Sequence, residues 1–221
     1  MLKLRHLSLT VGALACCFAA ASGPTPHASA PVMPEARKFI ESAQEKLAAG
    51  AWDNASAIAG VVLIADEVAV NVNTDGVPKS QHDACMHALK EAFSTWETAL
   101  DNSIKFRIEE DPSRADVVLK YRPDVRMKRD AVAGLTTWKR VIHTTAGRVT
   151  DVCSKTDVLV RTRDLNYRAM AYEAIRQATE HELGHVLGLD DSSRVGDLMG
   201  ELDLDHLVSG PRQNEIQAVD F

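Results

Sequence analysis

An α/β (α+β) domain is the fold class that the sequence predicts, and three observations predict it. Strand-period and helix-period segments are interspersed from about Glu67 onward. One strand candidate, Ala115–Tyr121, is apolar enough for the middle of a sheet. A long helical pattern from about Ala169 to Leu187 follows the last strand candidate. The 221 residues suit one medium domain plus extras, and 45% hydrophobic with 25% charged residues is ordinary for a chain that buries a core. A net charge of −6 lacks the basic face of a nucleic-acid binder, so no nucleic-acid partner is expected.

The elements follow in chain order. Lys3 and Arg5 precede an apolar run from Leu7 to Ala21, and Ala19-Ala20-Ala21 offers a small-residue cleavage site before Ser22. Residues 1–21 therefore read as a signal peptide, and a secreted or extracytoplasmic location is expected. The run is too short for a comfortable membrane span, so none is expected after cleavage. Removing it leaves Cys85 and Cys153, an even pair that invites a disulfide in an exported protein. Two separate buried thiols are the alternative.

Ser22 to about Pro34 is rich in Pro, Ala and Ser and reads as a linker. Glu35–Ala49 has helical spacing, with Ala36, Phe39, Ile40, Ala43 and Leu47 on one side, and Gly50 breaks it. Asp53 or Asn54 is expected to cap a second helix running to about Ala65. The stretch Leu47–Ala55 resembles one tetratricopeptide-type turn; a lone hairpin of this kind cannot bury its own apolar face. Residues 22–63 are thus expected either to pack on the main domain, 64–221, or to act as a pro-segment.

Val68–Asn73 alternates as a strand, Thr74–Pro78 is a turn, and Gln81–Leu100 is an amphipathic helix carrying Cys85, Leu89, Ala92 and Trp96 on one face. Ile104, Phe106 and Ile108 alternate as a strand; Ala115–Tyr121, Val132–Trp138 and Asp157–Thr162 complete a set of about five. Arg140–Thr156 is turn-rich and is expected to be irregular. A short helix is expected from about Arg212 to Val219.

The long helix carries the chemistry, in His181-Glu182-Leu183-Gly184-His185-Val186-Leu187-Gly188-Leu189-Asp190-Asp191. At about 100° per residue, His181 and His185 lie only about 40° apart, so both imidazoles can reach one ion. On the same wheel Glu182 falls within the apolar stripe of Ala171, Ile175, Ala178 and Val186, while Glu173, Arg176, Gln177 and Glu180 are left outward. A carboxylate on an inward stripe is costly without a partner. Gly188 can take the left-handed conformation that ends helices, and a sharp turn there would bring Asp191 back as a third ligand. Three protein ligands leave the fourth tetrahedral position open, as a catalytic zinc needs.

The pattern H-E-x-x-H-x-x-G-x-x-D, followed by Met199 in Asp197-Leu198-Met199-Gly200, resembles the metzincin metallopeptidases. The spacing from Asp191 to Met199 and the placing of Ser192 are similar to the matrixin branch, as are Ala92–Trp96, Ile104-Lys105-Phe106 and Ala115–Leu119 upstream. The resemblance covers roughly Glu67–Phe221. It implies a zincin-type catalytic domain with a twisted, mainly parallel sheet, an active-site helix and two further helices, here preceded by an N-terminal helical hairpin.

The resemblance further implies a zinc-dependent endopeptidase acting on protein or peptide substrates. One Zn2+ would be held by His181, His185 and Asp191, Glu182 would be the general base toward a metal-activated water, and Met199 would form a structural turn beneath the metal. Gly134-Leu135-Thr136 is the expected substrate-binding edge. The chain departs from matrixins in several ways. The third ligand is Asp191, as in snapalysin-like metzincins; no proline follows Met199; and the N-terminal segment has no cysteine for a thiolate switch. Nor is there a histidine constellation for a second zinc, since His82 and His87 fall on opposite helix sides and His143 and His206 stand alone. Glu201, Asp203 and Asp205 lack the spacing of a calcium loop, which leaves calcium unsupported. Two alternatives are a thermolysin-like site with Glu201 as third ligand and a secreted zinc-binding interaction module without peptidase activity.

Overall fold

A computed structural model describes residues 32–62 and 66–219; the signal-type segment and most of the linker lie outside the described residues. Two short helices come first, α1 (Pro34–Ala48) and α2 (Trp52–Ala59). Strand β1 (Glu67–Asn73) leads into helix α3 (Lys79–Ala99), and β2 (Lys105–Ile108) and β3 (Val117–Arg122) follow. A two-residue-armed hairpin, β4 (Arg126–Met127) and β5 (Asp130–Ala131), precedes the long strands β6 (Gly134–Thr145) and β7 (Arg148–Arg161). Helix α4 (Tyr172–Val186) carries the histidines, and α5 (Gln213–Val219) closes the described chain.

The fold is α/β, with a five-stranded sheet in the order β2-β1-β3-β7-β6. The β1–β2, β1–β3 and β3–β7 pairs are parallel; only β6, at one edge, runs antiparallel to its neighbour. The apolar pattern of β3 is explained by its central place, with Val117, Leu119 and Tyr121 buried. Helices α3 and α4 pack on each other and on the sheet, and their side chains Leu89, Trp96, Ile175 and Leu183 are fully buried with Leu119 and Tyr121. The Trp96 indole N–H donates to the Glu180 carbonyl at 2.8 Å, tying α3 to the middle of α4.

Four expectations are corrected. Arg140–Thr156 is not irregular: it forms the greater part of a β6–β7 hairpin that runs on beyond the rest of the sheet. Its β-branched residues Val141, Ile142, Thr144, Val149 and Val152 favour strand, and Ala146 (φ 51°) with Gly147 (φ 77°) makes the tight left-handed turn such a hairpin needs. Helix α2 starts at Trp52 without a side-chain cap from Asp53 or Asn54, and it ends at Ala59 rather than near Ala65. Gln177 and Glu180 are buried, not outward, because α4 is packed on that side too. Gln177 Oε1 accepts from the Val208 N–H at 2.8 Å, and Glu180 Oε1 accepts from the Thr95 hydroxyl at 2.9 Å. Finally, Cys85 and Cys153 are both free, the first buried in α3 and the second exposed on the hairpin. Burial pushes the Cys85 thiol up to about 11. No helix among the described residues is long and apolar enough to cross a membrane.

Candidate metal centre

Helix α4 ends in a way that shapes the site. Beyond Val186, Gly188 has φ +93°, the Gly188 N–H donates to the His185 carbonyl at 3.0 Å, and the Leu189 N–H donates to the Gly184 carbonyl at 3.0 Å. This paired closure with glycine in the left-handed region is a Schellman motif. It reverses the chain, so that Leu189 to Asp191 return along the histidine-bearing face.

The two imidazoles are fixed by that returning chain. His181 Nδ1 lies 2.9 Å from the Leu198 carbonyl, and His185 Nδ1 lies 2.8 Å from the Leu189 carbonyl. A carbonyl only accepts, so each Nδ1 must carry the proton, and each neutral ring presents an Nε2 lone pair. This is the arrangement in which histidines ligate metals. The rings stand 4.8 Å apart at 85°. His181, Glu182 and His185 form a group able to hold a metal ion, with one ligand atom from each lying within 4.8 Å of the others.

A second carboxylate is nearer to both rings. Asp191 Oδ1 is 3.2 Å from His181 Nε2 and 3.5 Å from His185 Nε2. A tetrahedral zinc with bonds of about 2.0–2.1 Å places its ligand atoms about 3.3–3.4 Å apart, and both Asp191 distances are close to such an edge. The donor set, two imidazoles and a carboxylate, also fits zinc chemically. When the rings also carry a proton on Nε2, they hold the Asp191 carboxyl well below the ordinary carboxylate range, and a metal would take the place of those protons. Burial would lower the His185 pKa, but the Asp191 and Glu182 carboxylates and the Leu189 carbonyl outweigh it and raise the value.

Glu182 lies on the inner side of the site and is 3% exposed. Its Oε2 accepts a 2.6 Å hydrogen bond from the Thr136 hydroxyl on β6. Burial pushes its carboxyl above the usual Glu range, against the opposing pull of His181, His185 and Thr136. Gly134 explains how an edge strand comes so close: a Cβ there would collide with the Glu182 side chain. Gly134, Leu135 and Thr136 line a cleft of about 670 Å³ together with Ala178, His181, Glu182, Leu202 and Leu204.

Met199 is fully buried. Its carbonyl accepts from the Ser192 N–H at 2.7 Å, which closes the loop beneath the histidines. A Cβ on Gly184 would collide with the Met199 sulfur and approach Trp96 Cζ2 at 3.1 Å. Glycine to alanine inside a helix ordinarily stabilises by about 0.5–1 kcal/mol. Overpacking costs about 1–3 kcal/mol and so wins here. Gly184→Ala is expected to lower the thermal midpoint and to weaken metal retention, because Met199 adjoins the Leu198 carbonyl that holds His181. A raised midpoint with full metal content would refute this packing role.

Three contributors to the site carry no local signal. Glu215, fully buried in α5, accepts from the Met199 N–H at 2.7 Å, the Leu198 N–H at 3.3 Å and the Arg212 N–H at 2.7 Å, and so clamps the turn under the metal site. The Trp138 indole N–H donates to the His185 carbonyl at 3.0 Å. The Met33 N–H donates to the Gly188 carbonyl at 2.9 Å. Of the remaining expected candidates, Glu201, Asp203 and Asp205 are exposed, and Asp203 is engaged by His206 Nδ1 at 2.9 Å. His143 is exposed on the hairpin.

No protein-family model matches the chain, and a search of curated proteins found no match either. The geometry therefore stands by itself: an α/β protein with a mixed sheet and a His-Glu-His cluster that can hold a metal.

Proposed function

We propose that this chain is a secreted, zinc-dependent endopeptidase of the metzincin type, matrixin-like in motif spacing and snapalysin-like in its aspartate ligand. The observation that carries the reading is Glu182: a buried carboxylate, anchored by Thr136, lining an open cleft with two imidazoles whose Nε2 atoms share Asp191. A purely structural metal site has no use for such a group, whereas a hydrolytic one needs a base there.

His181, His185 and Asp191 would hold zinc, and three protein ligands suit a catalytic rather than a purely structural ion. When bound, zinc supplies Lewis acidity, both toward water and toward the carbonyl being cleaved. Glu182 takes the proton from the attacking water and returns it to the leaving amine. The Thr136 hydroxyl holds one Glu182 oxygen and so fixes the orientation of the carboxylate. β6 is an edge strand, so the backbone of Gly134–Thr136 can take an extended peptide by strand addition. Met199 stays below the helix as packing.

The test is casein hydrolysis by the chain from residue 22 onward, loaded with zinc. Cleavage is expected, lost on chelation and restored by added zinc. Absence of chelator-sensitive cleavage in zinc-loaded protein would point instead to a zinc-binding interaction module.

A further inference from the structure

The β6–β7 hairpin poses a mechanical problem. β3 pairs with β7 only over Thr156–Arg161. Among the described residues, Arg148–Lys155 of β7 has β6 as its sole strand partner. A two-stranded ribbon by itself is marginal in water. Yet the root of this ribbon is the edge strand that carries Gly134, Thr136 and Trp138, which together contact Glu182 and the end of α4. A ribbon that splays or slips would displace those contacts, because one residue of slip moves every side chain to the other face.

Helix α2 lies against β7, and Asn54 holds the ribbon's tip at the turn and at the start of β7. Its amide nitrogen donates to the Gly147 carbonyl at 2.9 Å, and its amide oxygen accepts from the Val149 N–H at 3.1 Å. The start of the same helical hairpin is fastened at the end of α4. Val32 bridges antiparallel to Leu189, and the Met33 N–H holds the Gly188 carbonyl at the turn that follows the second histidine. Ala36 and Ala43 are buried between these anchors, and Ala55, Ile58 and Val61 are buried just beyond Asn54.

We propose that the α1–α2 hairpin is a resident brace of the active-site cleft and that Asn54 is a positioning residue, holding the ribbon and through it the edge strand. The substrate-positioning part rests on the peptidase reading above; the bracing of the ribbon does not. On this account the hairpin remains part of the working protein and is not shed as a pro-segment.

The experiment uses the chain from residue 22 onward with Asn54→Ala and Asn54→Asp. Amide hydrogen exchange is read in the ribbon (Val141–Thr145 and Val149–Cys153) and in α3 as an internal control. Asn54→Ala is expected to lower ribbon protection at least about tenfold while α3 is unchanged, since local opening is separable from global unfolding. Asn54→Asp keeps the acceptor for Val149 and loses the donor to Gly147, so its protection should fall between. Unchanged ribbon protection, or equal loss in ribbon and α3, would overturn the brace. In peptide hydrolysis, Asn54→Ala should raise KM at least about threefold through the loosened edge strand, with a smaller fall in kcat through the Thr136 contact to Glu182. An unchanged KM despite a loosened ribbon would overturn the positioning role. If the unmodified chain cleaves no peptide, the peptidase reading fails, and hydrogen exchange still decides the brace.

Discussion

Glu182→Ala is expected to leave zinc bound and to abolish peptide hydrolysis. The proposed ligands are His181, His185 and Asp191, whose Oδ1 lies 3.2 and 3.5 Å from the two Nε2 atoms, and none of them hangs on Glu182. Both histidine rings are oriented by carbonyls, Leu198 and Leu189, that this substitution does not touch. Metal content after dialysis should therefore equal that of the unmodified chain. Removing a positioned general base typically costs about 10²–10⁴ in kcat, with KM little changed because the base does not hold the substrate. Stability should not suffer: a buried carboxylate with a raised pKa opposes folding, and the Thr136 hydroxyl retains the Glu182 backbone carbonyl at 3.3 Å as a second acceptor. Glu182→Gln keeps the volume and can still accept from Thr136, so equal inactivity in that variant separates proton transfer from packing. Full activity in either variant would sink the assigned role.

How much of this was legible in the sequence depends on the range of the interaction. The grouping of His181, Glu182 and His185 is set by helical periodicity over four residues, and the turn at Gly188 by one residue's freedom at positive φ. Strands β1, β2 and β3 and helices α3 and α4 follow from apolar patterns within one element. What failed was non-local. Glu180 and Gln177 read as surface residues because their partners, Thr95 and Val208, come from distant segments that no wheel includes. The outer part of the β6–β7 ribbon, Arg140–Thr156, read as turn-rich because polar and small residues interrupt its β-branched ones, and its stability comes from a partner strand and from α2. The second sphere of the site is likewise invisible locally. Leu198 and Leu189 act through backbone carbonyls, whose role no side chain announces, and Glu215 reaches back from a separate helix to hold the turn.

Asp191→Ala is expected to strip the site of metal. Two carboxylates lie near the imidazoles, and they are physically unlike. Glu182 is buried, hydrogen-bonded to Thr136 and hemmed in by Gly134; Asp191 has a side chain 76% exposed, with an oxygen at 3.2 and 3.5 Å from the two Nε2 atoms. An exposed carboxylate drawn to both rings is placed to ligate, and a buried one held aside is placed to move protons. Losing an outer-shell partner costs a metal site about 10–100-fold in affinity, and losing a ligand should cost more. The measurement is metal per chain after dialysis, with competition against a chelator for the affinity itself. Asp191→His should recover metal, because a neutral imidazole can fill the same tetrahedral corner. It also removes one negative charge from the ion's surroundings, which should make bound water more acidic and shift the acid limb of the pH–rate profile downward. Unchanged metal content in Asp191→Ala would take Asp191 off the ligand list. The carboxylate left to complete the site would then be Glu182, and the same dialysis on Glu182→Ala would show the loss that Asp191→Ala did not.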